Sequence, residues 1–202
     1  MNLNNVTYTE KESNQIILSN FLKMLKRRNL ISDVDQTFDS VSNSIVSNKS
    51  IKIKIDNNSH VLLYIVHGKV TSITQNSPID DFLSNETNLM RFVIIKEPSK
   101  KTFKQISENY PNSEPFFLHE FMEDIPTKDI IPIHTPLNLE EKEELLKVIQ
   151  LKNLKRIFST DMMSRYYNVK SGDVFRIERL NPTSGMGVDY RVVVQGKIDL
   201  LF

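Results

Sequence analysis

The C-terminal third of the chain contains the segment Val188–Val194, with the sequence VDYRVVV. Apolar side chains occupy its alternate positions, which is the pattern of a strand that buries one face. A second strand is predicted over residues 174–180. Residues 181–187 lie between the two strands, contain one proline and two glycines, and therefore favour a hairpin loop. The region as a whole predicts a pair of antiparallel strands.

Two short helices are predicted ahead of these strands. Asn138 can cap the first helix, and Glu141 follows it at the spacing of a capping box. Asp161 can cap the second helix, which ends near Asn168, a residue type that tolerates the left-handed conformation. The apolar face of the first helix consists of Leu145, Leu146 and Ile149. Residues 131–202 therefore predict an α+β domain, with two short helices on a small mixed or antiparallel sheet.

The first part of the chain alternates predicted helices with predicted strands. A capping box formed by Thr9 and Glu12 begins a helix. The predicted strands cover residues 51–55, 61–66 and 91–96, and further helices are predicted over residues 78–90 and 99–109. Residues 32–50 are compatible with either a short helix or a loop. Residues 1–130 therefore predict an α/β domain, and the cluster of prolines at positions 126, 132 and 136 predicts the domain boundary.

Composition narrows the classes of function. The chain has 202 residues and a net charge of +1, so the molecule as a whole lacks the large positive charge of a protein that wraps nucleic acid. It contains no cysteine, which excludes disulfides and thiolate metal sites, and its four histidines lack the spacing of metal ligands. Its apolar runs are too short to cross a bilayer. We therefore expect no metal, no cofactor, no membrane contact and no small-molecule substrate.

A nuclease is a less favoured alternative for the α/β domain. Such an enzyme needs carboxylates and a lysine that converge on Mg²⁺. The available pairs, Asp56 with Lys69 and Glu97 with Lys100, lack the acidic-x-Lys pattern on a strand. Residues 185–187 do not form a phosphate loop because no Lys-Ser or Lys-Thr pair follows them.

The order and spacing of many positions between residues 131 and 194 resemble the C-terminal domain of the common small subunit of eukaryotic nuclear RNA polymerases. The corresponding short subunit of archaeal RNA polymerases is similar. The resemblance is carried by Pro132-Ile133-His134, Arg156-Ile157, Asp161, Arg165-Tyr166-Tyr167, Val169 to Val174, Arg176-Ile177, Arg179, Gly185 and Tyr190-Arg191. Lys155 stands where the family usually has proline, and Met162-Met163 stands where it has Pro-Val. These departures fit a divergent member, such as one encoded by a large DNA virus.

The resemblance implies a non-catalytic structural subunit of a multisubunit DNA-directed RNA polymerase. It implies an N-terminal jaw-like domain near the phosphates of downstream DNA. It also implies a C-terminal assembly domain that docks on the largest subunit, with the other polymerase subunits as further partners. The implied docking residues are His134, Arg156, Arg165, Tyr166, Arg176, Arg179 and Arg191, and the implied DNA-proximal residues are Lys26, Arg27, Arg28, Lys100 and Lys101. The expected location is the nucleus for a cellular protein, or a cytoplasmic viral factory and the virion for a viral one. The alternative from another class is a free-standing DNA-binding regulator of transcription.

Overall fold

The computed structural model describes residues 8–42, 50–181 and 185–202. The chain forms two compact units, Met1–Glu123 (unit 1) and Asp124–Phe202 (unit 2). The division falls earlier than the predicted boundary between residues 130 and 131. The reason is that residues 126–133 line a groove together with Glu178 and Leu180, which belong to the sheet of unit 2.

Unit 1 is built on a four-stranded mixed sheet in the order β1-β2-β3-β4. The strands are β1 (Ser50–Lys54), β2 (His60–Val70), β3 (Met90–Pro98) and β4 (Ser113–Phe117). Strand β1 is antiparallel to β2, whereas β2, β3 and β4 run parallel. Parallel neighbours need crossover connections, and the helices α3 (Pro78–Ser84) and α4 (Lys100–Asn109) provide them.

Helices cover both faces of this sheet. Helix α1 (Glu10–Arg27) lies on one face, where Phe21 packs edge-on against Phe92 with ring centroids 4.9 Å apart. Helices α3 and α4 lie on the other face, where Phe82 stacks on Tyr64. Helix α2 (Val34–Val41) resolves the predicted ambiguity over residues 32–50 in favour of a helix for its own span, while residues 43–49 lie outside the described residues. The alternation of helix and strand predicted for this region is confirmed.

Unit 2 contains a second four-stranded sheet, in the order β5-β7-β8-β6. The strands are β5 (Ile133–Pro136), β6 (Lys155–Phe158), β7 (Val174–Asn181) and β8 (Gly185–Val194). Strand β7 is antiparallel to both of its neighbours, and β6 is parallel to β8. Helix α5 (Leu139–Val148) packs on one face through Leu145, and residues that follow helix α6 (Met162–Tyr166) pack on the other through Tyr167.

Two details of unit 2 differ from the sequence prediction. Residues 185–187 were expected in a hairpin loop but belong to β8, where Gly185 adopts φ +74° and Gly187 pairs with Arg179. Strands β5 and β6 were not predicted because each is only four residues long and has no clear alternation. Of the rest of the predicted loop, Asn181 belongs to β7, and residues 182–184 lie outside the described residues.

Candidate functional site

The side chains predicted to dock on a partner are divided between the two faces of the unit 2 sheet. Successive residues of a strand point to opposite faces, and directly paired residues of neighbouring strands share a face. Arg156 pairs with Val192 and Arg176 with Tyr190, which places both arginines on the face covered by α5. We call this the α5 face. Arg191 pairs with Phe175 and Arg179 with Gly187, so these two arginines lie on the opposite face.

Two of these arginines are held by carboxylates of their own strands. Arg176 Nη1 lies 2.9 Å from Glu178 Oε1, and Arg191 Nε lies 3.5 Å from Asp189 Oδ2. The second contact is an ion pair without hydrogen-bond geometry, because Arg191 Nε has no hydrogen-bond partner. Both side chains remain more than 40% exposed. Exposed pairs of this kind contribute about 0–1 kcal/mol and can be exchanged for contacts with another chain.

Arg156 differs from Arg176 and Arg191, because its side chain is exposed and has no ion pair or hydrogen bond within the part of the chain that the structure describes. Its neighbour Lys155 binds Asp189 at 3.1 Å. Arg179 is also exposed and lines the groove beside residues 126–133. Arg156 and Arg179 are therefore available to a partner without the loss of an internal contact.

His134 is half-buried at the edge of the sheet. Its ring packs edge-on against Phe175 with centroids 5.5 Å apart, and its Nδ1 lies 2.7 Å from the carbonyl oxygen of Pro132. Burial lowers the pKa of His134, and the contact with Pro132 opposes this shift. These contacts hold the His134 ring at the start of β5.

Arg165 and Tyr166 lie on α6, which begins at Asp161 as predicted, where the Asp161 carboxylate accepts from the N–H of Met163 at 2.9 Å. Arg165 is half-buried and its Nε donates to the carbonyl oxygen of Thr160 at 3.2 Å. Tyr166 is only 2% exposed. The prediction that Tyr166 contacts a partner is therefore wrong for the fold described here, since its ring is already enclosed by unit 2.

Sequence reasoning missed the apolar surface of unit 2. Among the described residues, the large hydrophobic side chains that remain exposed lie in unit 2, with the exception of Tyr8. The most exposed are Ile130, Leu139, Val148, Leu180 and Leu200. Larger exposed apolar patches mark interaction sites. The alternation in 174–180 and 188–194 could have suggested this surface, since Leu180 and Val188 continue an apolar face beyond the reach of α5.

The predicted DNA-proximal residues at the end of α1 differ in how far their side chains are exposed. Lys26 is exposed and Arg27 half-buried. The side chain of Arg28 is 5% exposed, and its Nη1 and Nη2 donate to Glu114 Oε1 and Oε2 at 3.0 and 2.8 Å. The Arg28 guanidinium also lies 5.4 Å from the centre of the Phe92 ring. The Arg28 side chain is therefore committed to the inside of unit 1, and its position near DNA stays a prediction.

Lys100 and Lys101 are exposed in the first turn of α4, which contains no acidic residue. The N-cap Ser99 accepts from the N–H of Thr102 at 3.1 Å. The N-terminus of a helix is the positive end of its dipole, so the helix end and the two exposed lysines all favour the approach of an anion.

Within residues 8–42, 50–181 and 185–202, no three histidine or acidic side chains come together as a metal-binding group. None of the helices in those same ranges is both long enough and apolar enough to span a bilayer.

Comparison with known proteins agrees with the architecture. Residues 123–193 match the family model described as RNA polymerase Rpb5, C-terminal domain. The chain is 31% identical over 144 residues to DNA-directed RNA polymerase subunit 5 of Acanthamoeba polyphaga mimivirus, covering 70% of this chain and 69% of the relative. It is 34% identical over 117 residues to the DNA-directed RNA polymerases I, II, and III subunit RPABC1 of Caenorhabditis briggsae, covering 54% of each chain.

A shorter relative matches about a third of this chain. The DNA-directed RNA polymerase subunit Rpo5 of Thermofilum pendens is 40% identical over 75 residues, which is 94% of that protein and 36% of this chain. The resemblance inferred from the sequence is thus confirmed, and the chain belongs to the family of DNA-directed RNA polymerase subunit 5.

Proposed function

We propose that this protein is a non-catalytic structural subunit of a multisubunit DNA-directed RNA polymerase. In this proposal unit 2 docks on the largest subunit, and unit 1 helps to position downstream DNA. The relatives named above are RNA polymerase subunits, which supports membership of such an enzyme. Nucleotidyl transfer and its Mg²⁺ then belong to other chains of the complex.

The observation that carries the docking half of the proposal is the unequal distribution of exposed apolar surface. Ile130, Leu180 and Met186 are 85%, 76% and 57% exposed. Burying such side chains in an interface is worth roughly 25 cal/mol per Å² of apolar surface removed from water, before the costs of association. Arg156, with no internal partner among the described residues, adds an accessible donor of the kind that binds carboxylates in two-point geometry.

Tagging the protein in its own host and purifying it at moderate salt tests this half directly. We expect the largest polymerase subunit to co-purify in stoichiometric amount. Arg156→Glu should weaken that association, whereas Lys152→Glu, an equal charge reversal at another exposed position of unit 2, should not. Recovery of the tagged protein only as a free monomer would contradict the proposal and favour a free-standing regulator.

The DNA half of the proposal rests on Lys100 and Lys101. Contacts with phosphates make binding depend on salt, and each lost contact lowers the slope of log K against log salt by about 0.9. Reversing both charges should therefore reduce the slope measured for the assembled polymerase on downstream duplex DNA by roughly 1 to 2. Lys54→Glu, an exposed charge reversal on β1, serves as the control. An unchanged slope would show that α4 does not approach the DNA.

The location follows from the polymerase to which the protein belongs. A cellular polymerase places the protein in the nucleus, and a viral one places it in the cytoplasmic factory and in the virion. The match to a mimivirus relative makes the viral location a specific expectation. Mass spectrometry of purified virions for this chain tests it.

A further inference from the structure

Among the described residues of unit 2, strand β8 is paired along its outer edge over only part of its length. The strand spans Gly185–Val194, but β6 pairs with it only from Arg191 to Val194. Within the described part of unit 2, no strand lies beside Gly185–Tyr190 on the β6 side. The chain that leads into β6 packs in the cluster under α5 through Leu151 and Leu154, together with Tyr190 at the inner end of this stretch.

The direction of the backbone groups along this edge follows from two hydrogen bonds. Val193 N–H donates to Asp173 O at 2.8 Å, on the β7 side, and Val194 O accepts from Ser159 N–H at 2.8 Å, on the β6 side. In an antiparallel pair, successive residues direct their N–H and C=O groups to alternate sides of the strand. Met186 and Val188 therefore direct both backbone groups towards the open edge.

The residues of the open edge itself lack the features that usually prevent strand pairing, and the lysine that reaches it, Lys155 of β6, contacts Asp189. Exposed edges are commonly protected by lysine, proline, a bulge or a covering loop. Here the described edge reads Gly-Met-Gly-Val-Asp-Tyr, without lysine or proline, and its pairing with β7 shows no break in register. Met186 and Val188 are 57% and 47% exposed on the α5 face, and glycines 185 and 187 leave the opposite face flat.

Charge indicates the chemistry of the chain that fits this edge. A strand added in line with β6 ends beside Lys155, and the next residue of β6, Arg156, shares the α5 face with Met186 and Val188. A second copy of the protein would present the same edge, whose one carboxylate, Asp189, lies on the opposite face and already contacts Lys155 and Arg191. A second copy therefore leaves Arg156 without a partner, whereas a segment with its own carboxylate at that end satisfies it.

We propose that the open edge of β8 binds an extended segment of another polymerase subunit as an added β-strand. The segment carries apolar side chains at alternate positions, which pack on Met186 and Val188, and an acidic side chain that pairs with Arg156. This mode of binding combines backbone hydrogen bonds, which provide affinity, with side-chain contacts, which provide specificity. The inference rests on the proposed function and specifies where and how the docking occurs.

Val188→Pro is the sharpest test, because proline removes only the outward N–H at a position where the ladder with β7 is not interrupted. Val188→Thr, which keeps the N–H and the β-branched shape, is the matched control. We expect Val188→Pro to weaken the association with the polymerase about tenfold, measured by quantitative co-purification of the full chain, and the control to bind like the wild type.

Hydrogen exchange provides a second readout that does not depend on the variant folding. In the wild-type chain alone, the amide of Asp189, inside the ladder with β7, should be protected and that of Val188 should exchange quickly. In the assembled polymerase both should be protected.

The outcomes separate the two proposals. If the wild type co-purifies but Val188→Pro assembles equally well and the Val188 amide stays unprotected, strand addition is refuted while the proposed function stands. If the wild type does not co-purify at all, the proposed function fails first. A wild-type dimer in solution that Val188→Pro converts to a monomer would assign the edge to a second copy and overturn the choice of partner.

Discussion

The ion pair between Arg28 and Glu114 leads to a prediction that separates a structural role from DNA contact. Removing one member of a buried ion pair leaves the other charge buried without a partner and lowers the free energy of unfolding by about 3–5 kcal/mol. The side chain of Glu114 is 25% exposed, so water solvates part of the stranded carboxylate and lowers that cost to about 2–3 kcal/mol. Loss of the contact with the Phe92 ring adds about 0.5–1 kcal/mol. We therefore expect Arg28→Met to destabilise unit 1 by about 3 kcal/mol.

Hydrogen exchange of the β3 amides, followed by mass spectrometry, measures the stability of unit 1 separately from that of unit 2. Lys26→Met, at an exposed position of the same helix, should change it by less than about 0.5 kcal/mol. The double variant Arg28→Met with Glu114→Gln should recover about 1 kcal/mol or more, because no charge is then stranded. The reasoning fails if Arg28→Met leaves the exchange of β3 unchanged and instead reduces the salt dependence of DNA binding by the polymerase.

Three further predictions concern buried groups. Arg91 is fully buried and donates to the carbonyl oxygens of Leu83, Asn85 and Pro111. We therefore expect Arg91→Met to lower the free energy of unfolding, measured in urea, by about 2–4 kcal/mol. An equal or higher stability of the variant would show that burying the charge costs more free energy than its hydrogen bonds return. Burial and the hydrogen bond that the Tyr110 hydroxyl donates to Asp80 Oδ1 at 2.6 Å raise the pKa of Tyr110 to about 12. The stabilisation from this hydrogen bond is therefore complete below the ordinary tyrosine pKa of 10.0 and is lost as the pH rises to about 12. Tyr110→Phe should therefore flatten this part of the curve of melting temperature against pH. An identical alkaline loss of stability in both proteins would contradict the prediction. Tyr166→Ala should lower the free energy of unfolding of unit 2 by about 3–5 kcal/mol and abolish assembly, whereas Tyr166→Phe should preserve assembly. Circular dichroism measures the folding of each variant, and co-purification measures its assembly.

Local signals in the sequence were reliable where a single residue determines the backbone. The capping box at Thr9 and Glu12 begins α1, the one at Asn138 and Glu141 begins α5, and both were predicted from spacing alone. Asn168 ends the segment after α6 in the left-handed conformation, with φ +53°. Such features depend on three or four neighbouring residues, so they can be recognised without knowledge of the tertiary fold.

Contacts between distant parts of the chain could not be predicted in the same way. Arg28 belongs to a basic run that suggests a phosphate contact, but its partner Glu114 lies 86 positions away, and only the packing of α1 against the sheet brings them together. Tyr166 and Tyr167 look alike in sequence, and only the fold decides that Tyr166 is the enclosed one. The open edge of β8 was hidden for the same reason, because an edge is defined by the strand that is missing beside it.

The two sheets share no strand, and each unit has its own hydrophobic core. A cut in the chain between Glu123 and Asp124 would therefore break no ladder of hydrogen bonds. Neither sheet therefore depends on backbone hydrogen bonds from the other side of that cut. The short Thermofilum relative, almost all of which aligns with about a third of this chain, is about as long as unit 2.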